Sequence, residues 1–185
     1  IFGTQHGGIG RYTKELFTRI LAMDKENKYF LFYNQTLTAE DLSNLKKFNN
    51  AELVESNYRH YSFGEQSAFL KKLNYYNLDL VHFPNFNFPI LYNRPFVVTI
   101  HDMVHHRLSG HKKSRLLHYQ AYKKIIGHAV RESKAIITPS HASKKDVLDE
   151  YEVSKDKFHV IYEGTNLKEQ SDSKVSEVKE TYMLE

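Results

Sequence analysis

Short apolar runs separated by helical stripes constrain this chain more than any other feature. Residues 96–100 are aromatic and β-branched and read as the strongest strand. Residues 29–33, 78–83, 135–138 and 158–162 are comparable runs, and 51–55 is a weaker one. Between them, apolar side chains recur at helical spacing. Ile9, Tyr12, Leu16 and Ile20 form one stripe, flanked by Thr13, Phe17 and Leu21. Residues 41–48 and 66–76 read as further helices. Leu116, Tyr119, Tyr122, Ile126 and Val130 form another stripe, and Ser140 is a good N-cap for a helix reaching Tyr151. Several strands are apolar on both faces, as happens when helices cover both sides of a parallel sheet. The pattern predicts an α/β domain, Rossmann-like and doubly wound, with a mostly parallel sheet and helices on both faces.

Length and composition narrow the function classes. The chain has 185 residues, enough for one domain with a real core, and it lacks cysteine. That excludes a disulfide scaffold and any thiolate metal site, and it fits a cytoplasmic setting. No apolar run is long enough to span a bilayer. Ile1 opens the chain with neither a methionine nor a signal-peptide pattern and reads as a trimmed end. The net charge of +4 suits an anionic membrane face or a phosphorylated substrate without selecting either. Nucleic-acid binding is the weakest reading, because the aromatics fall in strands and helix stripes rather than between basic residues on one surface. Composition shifts only after Asn166. The expected division is a domain over residues 1–166, then a linker or exposed helix over 167–185.

In open parallel sheets, ligands bind beyond the carboxyl ends of the strands. There the chain gathers polar and small residues: Asn34, Asn85, His101, Asp102, Ser140, His141, Glu163 and Gly164. Gly7, Gly8 and Gly10 precede the first helix. Glycines there let backbone approach a ligand, and the free N–H groups behind them can seat a phosphate. Gly10 directly precedes the helix and is the glycine expected to face that phosphate. No Lys-Ser/Thr pair follows, so this is not a Walker loop. An imidazole at His101 can bond a sugar hydroxyl or a phosphate oxygen, with the Asp102 carboxylate to orient its neighbours. His105, His106 and His111 are close in sequence but match no zinc spacing, and no metal site is expected. The basic stretch 112–131, with Lys112, Lys113, Arg115, Lys123, Lys124 and Arg131, is either a solvated face or a contact for an anionic membrane.

These motifs fall into a recognisable order. Gly7-Gly8-Ile9-Gly10-Arg11-Tyr12 opens a helix, and Asp79 to His82 lies in a strand. Val98-Thr99-Ile100-His101-Asp102 ends another. Ala135 to Ser140 leads into a helix carrying Ser143 and Asp146, and Val160-Ile161-Tyr162-Glu163-Gly164 closes the series. The series resembles the N-terminal domain of retaining glycosyltransferases of family 4, of the GT-B class, and looks most like bacterial mannosyltransferase-type members. The resemblance covers nearly the whole chain.

It implies one half of a two-domain fold whose cleft takes a nucleotide sugar as donor and a glycan or lipid-linked acceptor, in polysaccharide biosynthesis. No cofactor or metal is implied. His101 and Asp102 would be the catalytic positions, His101 near the donor sugar and Asp102 supporting its loop. Gly7, Gly8, Gly10, Arg11, Asn85, Ser140, Glu163 and Gly164 would contact substrate or phosphate. The family pattern is not followed throughout. Tyr162 stands where a proline is usual, and the first strand is absent or reduced to Ile1-Phe2. The sheet centre is therefore expected to be poorly filled. The donor-binding residues of the second domain are not in this sequence, so no turnover is expected from this chain alone. A peripheral contact at the inner membrane face and a stand-alone nucleotide or sugar-phosphate binding module are the remaining readings.

Overall fold

The computed structural model describes residues 7–35, 37–58, 62–103, 113–164, 174 and 180–182. Helix α1 (Gly7–Met23) comes first, with Gly10, Thr13 and Leu21 buried. Asp24 ends it. Its amide still bonds the Ile20 carbonyl at 2.9 Å, while its carboxylate accepts the amides of Glu26 and Asn27 and the Tyr29 hydroxyl. Those bonds hold the Asp24 carboxyl below its ordinary range and push the Tyr29 phenol up to about 12. β1 (Tyr29–Tyr33) then pairs in parallel with β2 (Ala51–Glu55), from Tyr29 opposite Ala51 to Tyr33 opposite Glu55.

The connection between them is α2 (Ala39–Leu45), which starts earlier than its apolar residues suggest. Thr38 caps it by accepting the Asp41 amide at 3.0 Å, a short-range signal. Asp41 is buried and pairs with Lys14 of α1 at 2.6 Å, which ties the two helices together. A π-helical turn (Glu65–Phe69) leads into α3 (Leu70–Tyr75).

β3 (Val81–Phe83), β4 (Phe96–Thr99), β5 (Ala135–Thr138) and β6 (Phe158–Val160) form a parallel sheet in that order. Helix α4 (Lys113–Glu132) crosses from β4 to β5, and α5 (His141–Glu150) from β5 to β6. β3 is shorter than its apolar run. Asn77 takes a positive φ of 50°, and Arg94 bonds the Leu78 carbonyl at 3.0 Å, so the run starts as a turn. β6 ends early because Ile161 and Tyr162 are exposed, although the Ile161 amide still reaches the Thr138 carbonyl at 2.9 Å.

Strand alternation places helices on both faces. Phe96 and Val98 pack into one core with Phe83, Ile126 and Val130 of α4, and Val147 of α5. Their neighbours point the other way, toward α1: Thr99 meets Tyr12, and His82 meets Phe17 with ring centroids 5.5 Å apart. The fold is thus α/β and Rossmann-like, with mostly parallel strands. Its centre is incomplete among the described residues. β1 and β3 are not paired, and a cavity of about 710 Å³ lies between them, lined by residues 29–34 and 78–85. No helix among the described residues is long and apolar enough to cross a membrane.

Candidate functional site

The parallel sheet delivers four strand ends to one edge, and α1 starts at the same edge. His101, two residues beyond β4, is the hub. Its Nε2 lies 3.0 Å from the Pro84 carbonyl oxygen, just past β3. Its Nδ1 lies 3.2 Å from Oε1 of Glu163, three residues past β6. Its own carbonyl accepts the Ser143 hydroxyl of α5 at 2.8 Å. The Tyr12 ring of α1 meets the imidazole edge-on, with centroids 4.8 Å apart and planes at 87°. One side chain therefore gathers the ends of β3, β4 and β6 and the start of α1.

A buried polar chain lies beneath it. The Thr99 hydroxyl is 3.3 Å from the Tyr12 hydroxyl and 2.8 Å from His82 Nε2. Burial, and secondarily the neighbouring His101, pushes the His82 imidazole down to about 4. His82 is thus a neutral hydrogen-bonding group at neutral pH. Burial also raises the Tyr12 phenol, opposed by its bond to Thr99 and reinforced by the charge of Glu163.

The glycines form no separate loop in the described residues: Gly7 to Gly10 are the first turn of α1. Gly7 has φ +65°, a conformation that disfavours a side chain. Gly8 is exposed, and a Cβ there would meet nothing within 4 Å. Gly10, the glycine expected to face a phosphate, is buried, whereas Gly8 is exposed. The first turn carries no acidic side chain, and its leading N–H groups have no intrahelical acceptors. Unpaired N–H groups of this kind favour an anion, and Tyr12 lies one turn further along the same helix.

Other expected positions lie outside the His101 contacts described above. The Ser140 hydroxyl is engaged as the cap of α5, accepting the Ser143 amide at 3.0 Å. Asn85 accepts the amide of Phe86 at 2.9 Å and lines the central cavity. Arg11, Asp102 and Gly164 are exposed. His105, His106, His111 and Lys112 lie outside the described residues. Among the described residues, no group of histidine and carboxylate side chains could hold a metal ion. Lys123 of the basic stretch pairs with Glu150 at 3.6 Å, and Lys124 and Arg131 are exposed. Sequence reasoning missed Tyr12, His82 and Thr99 as parts of the site. The available signal was a polar side chain inside an apolar strand run, at His82 and again at Thr99.

No individual curated protein matches the chain. The family model described as Glycosyltransferase Family 4 matches residues 6–169, nearly the whole α/β unit and every strand end that meets at His101. With that match over most of its length, the chain belongs to Glycosyltransferase Family 4.

Proposed function

We propose that this domain forms the acceptor side of a glycosyltransferase that moves a hexose from a nucleotide sugar to a glycan or lipid-linked acceptor. The observation that carries the reading is the contact between Tyr12 and His101. It joins the acid-free first turn of α1, suited to a diphosphate, to an imidazole suited to a sugar oxygen. The diphosphate charge is met by helix N–H groups and basic side chains, without a metal or cofactor. Retention of configuration, a mannosyl donor and a role in polysaccharide biosynthesis follow from the family resemblance. So does a cytoplasmic site of action, with the basic stretch 112–131 as the contact with an anionic membrane face.

The test uses the natural enzyme that carries this domain, supplied with GDP- and UDP-sugars while nucleotide release and sugar transfer are followed. His101→Ala is expected to lower turnover by about 10²-fold, roughly 2.7 kcal/mol of transition-state stabilisation, with a loss of fold stability that is small beside it. Activity within a few-fold of wild type would remove His101 from the reacting centre.

A further inference from the structure

Neither ring nitrogen of His101 is open to a ligand as the side chains stand. A carbonyl oxygen only accepts, so Nε2 donates its proton to Pro84, 3.0 Å away. Nδ1 faces the Glu163 carboxylate at 3.2 Å, and since Nε2 already carries a proton, this contact is a hydrogen bond in the doubly protonated ring. The other constraints leave the ring little freedom. Ser143 holds its backbone carbonyl, and Tyr12 abuts its edge. The partners differ in exposure. The His101 side chain is 15% exposed and that of Glu163 is 47% exposed. The Pro84 contact is to the main chain, whereas the Glu163 contact is to a side chain free to rotate into water. A carboxylate would also repel a diphosphate, so direct phosphate binding by Glu163 is unfavourable.

We infer that Glu163 is a positioning residue for His101: it holds the ring with Nδ1 as the atom presented to a substrate oxygen, and it gives up that nitrogen when substrate arrives. The inference rests on the glycosyl-transfer reading above and adds to it which nitrogen works and what orients it. It also gives the pair a place in the fold. Glu163 lies where the chain leaves β6, so the same contact ties that exit to the ends of β3 and β4.

Steady-state kinetics and thermal melts of the natural enzyme test this with Glu163→Ala, Glu163→Gln and, as control, His101→Ala. Glu163→Ala leaves the ring free to turn and is expected to lower kcat about tenfold or more, because small misplacements of a reacting group are costly. KM for the nucleotide sugar should stay level or fall, since a competitor for Nδ1 is gone. The melting temperature should not move. Glu163→Gln keeps an acceptor oxygen in place and should restore kcat to within about threefold of wild type. Three results would each overturn the positioning role. These are an Ala variant with wild-type kcat, a KM raised about fivefold or more, or activity lost only in step with the melting temperature. A fully active His101→Ala would instead sink the functional reading itself, so the two failures are distinguishable.

Discussion

His82 is where the chemistry of one residue reaches the stability of the whole domain. Its imidazole bonds Thr99, and burial lowers it to about 4 from an ordinary 6.5. The folded state thus binds this proton less readily than the unfolded chain does. As pH falls below about 6.5, the unfolded state takes up the proton first and unfolding is favoured. The contribution of neutral His82 is fully present above that range and is lost as pH drops toward 4. The loss is up to about 3 kcal/mol at roughly 1.4 kcal/mol for each pH unit. Urea unfolding at pH 7.5 and pH 4.5 reads it directly, and His82→Gln should remove most of the difference attributable to this site. If the variant keeps the full pH dependence, His82 is not the buried neutral group described above.

At the scale of the element, the first turn of α1 separates two uses of glycine. Gly7 has φ +65°, and alanine there should destabilise the domain by about 1 kcal/mol. Gly8 is exposed, with open space around the position of a Cβ. Alanine there costs nothing sterically and should stabilise by about 0.5 kcal/mol through reduced freedom of the unfolded chain. If the turn seats a diphosphate, Gly8→Ala should nevertheless raise the nucleotide-sugar KM of the natural enzyme about threefold or more. A variant that is more stable and less able to use its substrate is the expected pairing. Unchanged kinetics in a stabilised Gly8→Ala would take the phosphate away from this turn. Thermal melts and initial rates on the two single variants are sufficient.

For the whole molecule, the candidate site among the described residues lies along one edge of one sheet. His101, Glu163 and the start of α1 all lie on it. On the proposed reading, a nucleotide sugar held by this edge alone would stay solvated on its other side and lack the electrostatic gain of a closed site. The isolated 185-residue chain, incubated with GDP- or UDP-sugars, is therefore expected to bind weakly and to show no sustained sugar transfer. Sustained turnover would show that this domain alone completes the site. The cavity between β1 and β3 belongs to the same scale. Phe32 bridges across it to the larger core through Phe69, yet the edges of β1 and β3 are not hydrogen-bonded to each other.

Local interactions explain what was legible in the sequence. Residues 96–100 are β-branched and aromatic enough to be a strand in almost any setting, and Ser140 caps α5 through an amide three residues away. Alternation of such elements implies parallel strands, and parallel strands place the site at their carboxyl ends. His101, Glu163 and the first glycines could therefore be singled out without coordinates. Their pairing could not. His101 and Glu163 are 62 positions apart, and their contact depends on the order β3, β4, β5, β6 and on the register between neighbours. Sequence position likewise favours Gly10 as the glycine facing a phosphate, but helical rotation buries Gly10 and exposes Gly8. Ser140 was legible as a helix cap, and its hydroxyl does accept the Ser143 amide. Short-range propensity determined the elements; which side chains share one hydrogen-bond network was decided by packing between segments far apart in the chain.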